Sequence, residues 1–201
     1  MPPVRAYHLI LTAYGFWLPN DPRGSWSDFV RAWELTRFGD ATKVSTRRSL
    51  AKAPHSREQR LEAKQALVRD AVSFSGRQAV AIADGFRKWN ELSGGKIFAC
   101  SILPEHVHLV IARHRFEIER VANRMKGEAT KSLVRAGLHP FQDDFYRDGT
   151  RPTPWTRKWW KVYLTTDEDI LRAIKYVERN PVKEGKRRQK WLCTTPFVLG
   201  S

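Results

Sequence analysis

The segment Ser101-Ile102-Leu103-Pro104-Glu105-His106-Val107-His108-Leu109-Val110-Ile111-Ala112 constrains the fold more than any other. After the Pro104-Glu105 turn it is apolar and β-branched, which predicts a strand. Residues two apart on a strand share a face. Val107, Leu109 and Ile111 therefore enter a core, while His106 and His108 project side by side from the other face. The chain must form a sheet with one packed face and one that tolerates two imidazoles. A rigid imidazole pair can hold a divalent metal. The competing reading is two half-exposed polar side chains on a wet sheet face.

The flanking pattern supplies the rest of the sheet. Arg5 to Thr12, Lys96 to Leu103 and Trp160 to Thr165 read as three more strands. Ser75 or Gly76 precedes a helix to about Leu92, ended by Gly94-Gly95. Arg115 to Ala136 is an amphipathic helix. Its apolar stripe is Ile118, Val121, Ala122, Met125, Ala129 and Leu133, with Arg120, Arg124, Lys131 and Arg135 opposite. Ser56-Arg57-Glu58-Gln59 has the form of a capping box opening a helix to about Arg69. Gly15 to Ser27 is turn-rich, and residues at about 20–72 read as an insertion after the first strand. The order β, α, β, β, α, β, α predicts an α+β fold. It is a ferredoxin-like split βαβ antiparallel sheet with helices on one face and an additional C-terminal helix free to cross the other. The 201 residues make a single domain, 1–201, with that insertion and a basic C-terminal tail at about 181–201.

The last helix carries the second group of polar residues. Thr166 is its N-cap, and Asp167, Glu168 and Asp169 fill the first turn, where the helix dipole favours acids. Ile170, Leu171, Ile174 and Val177 form its apolar stripe, and Pro181 is expected to stop it. Tyr176 and Asn180, four apart, share a face that flanks the stripe, and Arg172 lies on the same side. A hydroxyl, an amide and a guanidinium are thus grouped. Tyr163 in the preceding strand is the rival nucleophile, whereas Tyr7, Tyr14 and Tyr146 have no such company.

A hydrophobic residue between two strand histidines, then one tyrosine on a late helix followed by Asn-Pro, resembles the single-tyrosine HUH transposases. The match is to the REP-associated branch of the insertion-sequence transposase-like family. It lies in Leu103-Pro104-Glu105-His106-Val107-His108-Leu109-Val110, in Met125-Lys126-Gly127, and in Ala173 through Gly185. The resemblance implies metal-dependent cleavage and transfer of single-stranded DNA, with Tyr176 as nucleophile and a 5′-phosphotyrosine intermediate. It implies Mg2+ or Mn2+ held by His106 and His108. Insertion-sequence members place a glutamine ligand four residues after the tyrosine; here Asn180, one methylene shorter, stands there as in the REP-associated branch and is the candidate third ligand. Imidazole softness alone would favour Zn, Cu, Ni or Mn, but two histidines leave open positions that suit an octahedral Mg or Mn site. His8 and His114 could be further ligands, but the structural reading is preferred for each.

Lysine and arginine number 36 against 21 acids, a net charge of +15. Such an excess points to a polyanion. Contacts are expected from Trp155 through Lys161, where Arg157, Lys158 and Lys161 interleave with Trp159 and Trp160 as stacking platforms beside cations. Arg120, Arg124, Lys131 and Arg172 add to them, as does the tail through Lys183, Lys186, Arg187 and Arg188. The expected partner is single-stranded DNA with hairpin or palindromic repeats, bound by a monomer or homodimer. No apolar run is long enough to span a membrane, no signal peptide follows Met1-Pro2-Pro3, and Cys100 and Cys193 lack metal spacing and fit a reducing cytoplasm. The alternatives are a non-catalytic RRM-like module, which would display aromatics on the middle strands, a rolling-circle type nickase, and a basic interaction protein whose catalysis has lapsed.

Overall fold

The computed structural model describes residues 3–19, 30, 33–39 and 56–199. Most of the expected insertion, namely 20–29, 31–32 and 40–55, lies outside the described residues. Strands β1 (Ala6–Thr12), β2 (Ile97–Ile102), β3 (His106–Ala112) and β4 (Trp160–Leu164) form one antiparallel sheet in the order β2-β3-β1-β4. β3 separates β1 from β2, and β1 separates β3 from β4, so both βαβ crossovers are split by a strand. This is the expected α+β architecture. Helices α1 (Arg57–Gln65), α2 (Gly76–Ser93), α3 (Ile118–Arg135) and α4 (Asp167–Lys183) complete it.

The main core lies between the sheet and α2 and α3. Leu9, Leu11, Val107, Leu109 and Ile111 meet Ile82, Phe86, Val121, Met125 and Leu133 there. All six residues of the expected α3 stripe are buried. Helix α2 starts with a full capping box, in which Gln78 N–H donates to Ser75 Oγ (3.3 Å) and Ser75 N–H donates to Gln78 Oε1 (2.8 Å). It ends at Gly94, whose φ of 70° is the left-handed conformation that glycine adopts without cost. Helix α1 ends at Gln65, four residues short of the expected Arg69. It packs with a 3-10 turn at Trp33–Phe38 in a separate small cluster of Leu18, Leu35 and Ala63.

Helix α4 crosses the opposite face of the sheet over β2, β3 and β4. Ile170, Ala173 and Val177 seal a second, smaller core against Ala6, Ala99, Val110 and Leu164. Two expectations for this helix are corrected. Leu171 is exposed, because the buried stripe follows Ile170, Ala173, Val177, Asn180 and Pro181 instead. Pro181 does not stop the helix, which continues to Lys183. Proline has a helical φ, but it loses the N–H that would reach the Val177 carbonyl and its ring crowds that carbonyl. Its ring is buried, and the Glu184 and Lys186 N–H groups close on the Pro181 carbonyl at 3.1 and 2.8 Å.

The C-terminal segment is not a free tail. The Gln189 side chain accepts from Ile102 N–H and donates to Ile102 O, both at 2.8 Å. Thr195 N–H donates to Ile97 O at 2.7 Å, and Asn90 Nδ2 donates to the Cys193 carbonyl at 2.7 Å. The segment thereby covers the outer edge of β2, which would otherwise expose unpaired backbone groups. Cys100 and Cys193 are both buried free thiols. Among the described residues no helix is long and apolar enough to cross a membrane.

Helices α2 and α3 approach most closely at Gly85. A Cβ there would lie 2.5 Å from Ala129 Cα and 2.6 Å from the Glu128 carbonyl, and neither backbone group can yield without moving a helix. Gly85→Ala should therefore destabilise the protein by about 1–3 kcal/mol despite alanine's better helix propensity. Urea unfolding checks it; a more stable variant would mean the helices are not in contact there.

Candidate active site

Strand alternation assembles the site beneath α4. His108 lies opposite Ile10 on β1 and opposite Ser101 on β2, with His8 diagonal to it. His108 is 4% exposed. Its Nδ1 is 3.0 Å from His8 Nε2. The His106 and His108 ring centroids are 4.9 Å apart, side by side as the alternation requires. Phe16 packs on His106 with centroids 5.4 Å apart.

Helix α4 brings Tyr176 onto this cluster, its ring 5.6 Å from that of His108 and 5.7 Å from that of His8. Tyr176 is 42% exposed, open to solvent on one side. Asn180, one turn on, is 6% exposed, and its amide nitrogen has no hydrogen-bond partner among the described residues. The buried Ser101 hydroxyl is in the same condition. Such groups cost about 1–3 kcal/mol each when unsatisfied, which marks a place built for something besides packing. At the C-cap of α4, Glu184 Oε1 is 3.7 Å from His106 Nε2, and Lys183 Nζ lies 4.9 Å above the Tyr176 ring.

Burial sets the protonation states. It lowers the His8 pKa to about 4 and carries that of His108 well below the ordinary histidine value, where the neighbouring His106 and His8 lower it further. Both rings are neutral at pH 7, the form that ligates metals. Burial, and then the Glu184 charge, raise the Tyr176 pKa, so its phenol is protonated at neutral pH.

Among the described residues no group of three or more His, Cys, Asp or Glu has the spacing to hold a metal ion. The donors present fit a more open site: two imidazoles on one rigid strand, and on the covering helix, one turn after Tyr176, a buried amide whose nitrogen has no partner among the described residues. An Asn amide turned over presents its oxygen in place of its nitrogen. Water and phosphate oxygens would complete an octahedral ion of the Mg2+ or Mn2+ type.

Several expected residues fall elsewhere. Tyr163 lies opposite Tyr7, ring centroids 5.8 Å apart, on the α2/α3 side of the sheet, because residues one apart alternate. It cannot serve the histidine face. Arg172 does not join Tyr176: its side chain is 77% exposed and sits 3.7 Å from Asp169. His114 is structural, its Nε2 3.2 Å from the Ser93 carbonyl and its Nδ1 accepting from Phe116 N–H.

The nucleic-acid candidates divide between the two faces. Trp155 is core. Trp159 is half-buried against the main core, and Lys161 lies over it and over Tyr163 while bonding Glu119, so both are on the α3 side. Trp160, opposite Ile10, is the tryptophan on the histidine face. Arg157 and Lys158 are exposed. Lys126 anchors their loop by donating to the Thr156 and Arg157 carbonyls at 3.2 and 3.3 Å, and burial lowers its pKa to about 8. Arg120 and Arg124 converge with Arg115 on the Phe116 ring at 4.4, 4.6 and 4.9 Å, whereas Lys131 pairs with Glu128. Lys186, Arg187 and Arg188 are exposed between the end of α4 and the Gln189 anchor.

Sequence reasoning missed three members of the site: His8 as a partner of His108, Ser101 and Glu184. His8 joins His108 only through the pairing of β1 with β3, which no single strand encodes. Glu184 was hidden by the expectation that the helix stops at Pro181.

No family model and no curated protein matches the chain. Its fold is similar to that of a REP-associated tyrosine transposase solved bound to a REP hairpin, at a TM-score of 0.46 and 13% identity, covering 92% of this chain and 72% of the other. It is also similar to a candidate transposase of Deinococcus radiodurans R1, at a TM-score of 0.38 and 12% identity, covering 87% and 88%. At these values the chemistry of the site rests on its own residues.

The desolvated imidazoles, His108 buried and His8 half-buried, make the metal-free protein acid-sensitive. His8 titrates near its ordinary value of about 6.5 when unfolded and near 4 when folded, so the unfolded state binds more protons between those limits. Stability should hold above pH 6.5 and fall by roughly 3 kcal/mol on descending to pH 4 from this group alone. His8→Gln should flatten that slope in chemical denaturation across the range. An equally steep slope in the variant would place the titration elsewhere.

Proposed function

We propose that this protein cleaves and rejoins single-stranded DNA through a covalent 5′-phosphotyrosine on Tyr176, a transposase-type reaction assisted by Mg2+ or Mn2+. One observation carries the reading. A half-exposed tyrosine lies against the two-histidine strand, on a face where the buried Asn180 amide and Ser101 hydroxyl have no partner among the described residues. A structural tyrosine has no need of such surroundings.

The chemistry follows from charge. A phosphodiester repels nucleophiles, and catalysis is largely positioning and neutralisation. His106 and His108 would hold the ion, with the Asn180 amide oxygen beside them. When bound, the ion neutralises non-bridging phosphate oxygens and polarises phosphorus. Tyr176 Oη attacks phosphorus in line and the bond to the 3′ oxygen breaks. The phenolic proton is lost, and the departing oxygen gains one to become a 3′-hydroxyl. The ester conserves the bond energy, so a second 3′-hydroxyl can reverse the step without ATP. Trp160 offers a stacking surface on the same face, and the basic loop at Lys183, Lys186, Arg187 and Arg188 would carry the backbone, with a hairpin or palindromic repeat as the recognised form.

Tyr176→Phe keeps the ring and removes the nucleophile. It should bind single-stranded hairpin DNA as the wild type does and form no adduct that survives denaturation; His106→Ala should also abolish cleavage, and Asn180→Ala should slow it less. Adduct persisting in Tyr176→Phe would move the nucleophile, and no adduct from the wild-type protein on any hairpin substrate would favour a binding module. Neutralising Lys186, Arg187 and Arg188 together should lower the slope of log affinity against log salt by about 2, at roughly 0.7 per phosphate contact on a single strand. An unchanged slope in a fluorescence-anisotropy titration would remove this loop from the interface.

A further inference from the structure

We propose that His8 is a positioning residue: it accepts the Nδ1 proton of His108, which leaves His108 Nε2 bare to ligate the ion. The inference rests on the proposed function. Its physical basis is the direct contact of two ring nitrogens, His8 Nε2 and His108 Nδ1, at 3.0 Å. Between two neutral imidazoles such a contact holds one proton, so only two arrangements exist. If His8 donates, His108 carries its own proton on Nε2 and has no lone pair for a metal. If His108 donates, Nε2 is free and the ring is locked. Ligating histidines characteristically donate their second N–H to an outer acceptor, which fixes the tautomer and strengthens the ligand.

The surroundings of His8 fit this task better than a packing role. Position 8 lies between Ala6 and Ile10 on the same face of β1, both apolar. An imidazole largely removed from water there costs free energy unless its polar atoms are used. The ring is boxed in by His108, with centroids 5.2 Å apart, and by Tyr176 at 5.7 Å. The backbone beneath it is paired on both sides, to Val110 of β3 and Val162 of β4. The acceptor is therefore rigid. The Ser101 hydroxyl, on the strand opposite His108, has no hydrogen-bond partner among the described residues, so the His108 Nδ1 contact is made to His8 and not to that neighbour.

Mn2+ affinity of the full chain, by calorimetry, tests the proposal together with the His108 tautomer by long-range 15N–1H NMR of the Mg2+-loaded protein. His8→Leu should weaken Mn2+ binding by about 10–100-fold with unchanged circular dichroism. His8→Gln, whose amide oxygen can accept, should recover part of the loss. The wild-type spectrum should show His108 protonated at Nδ1 and bare at Nε2. A purely structural His8 would leave that tautomer free to reverse. Wild-type affinity in His8→Leu, or a proton on His108 Nε2 in the loaded protein, overturns the inference while adduct formation stands. Should His8→Leu fail to fold, the His8→Gln affinity and the wild-type tautomer decide. A wild-type protein that neither takes up Mn2+ nor forms adduct overturns the proposed function and this inference with it.

Discussion

Strand β3 is buried on both faces, and the rest of the structure is arranged around that fact. One face supplies Val107, Leu109 and Ile111 to the main core. The other carries His106, His108 and Val110, and α4 closes over it. A sheet face bearing imidazoles can be covered only where its polar atoms are paired or put to use. The pairing of His108 with His8 meets part of that requirement. The buried Asn180 amide nitrogen and Ser101 hydroxyl have no hydrogen-bond partner among the described residues.

Two backbone features bring the polar groups together. The first is the continuation of α4 through Pro181. Had the helix stopped there, Glu184 would not sit at its C-cap within 3.7 Å of His106, and Lys183 would not lie over the Tyr176 ring. The second is the C-terminal segment bound along β2, which fixes the far end of the basic loop through Gln189. A loop held at both ends loses less conformational freedom on meeting a phosphate backbone than a free tail would.

The site is electrostatically divided. The His8 and His108 rings are neutral because burial penalises their charged forms. Beside them, Glu184 and Lys183 bring charges of opposite sign to the half-exposed Tyr176. Neutral donors inside and charges at the rim suit an anionic ligand that enters from solvent, because the buried donors bring no fixed negative charge that would repel it.

The element order, the split sheet and the two faces of β3 were legible in the sequence because they rest on local periodicity: period two in the strands, and the α3 stripe in which all six expected residues are buried. That Tyr176 and Asn180 lie one turn apart on α4 followed from their four-residue spacing. The rest depended on tertiary contacts. Arg172 shares a side of the helix with Tyr176, yet solvent and Asp169 hold it elsewhere, since helical spacing sets direction and not destination. Tyr163 was removed by the register of β4 on β1, which no single strand encodes. Pro181 was misjudged because its local cost, a lost hydrogen bond and a crowded carbonyl, is legible in the sequence, whereas the burial of its ring is a property of the packed fold. His8 became part of the site only when β1 paired beside β3. The sequence by itself determined which faces exist, since side-chain alternation is local; the tertiary structure decided what each face meets, since strand pairing and helix docking join residues a hundred positions apart.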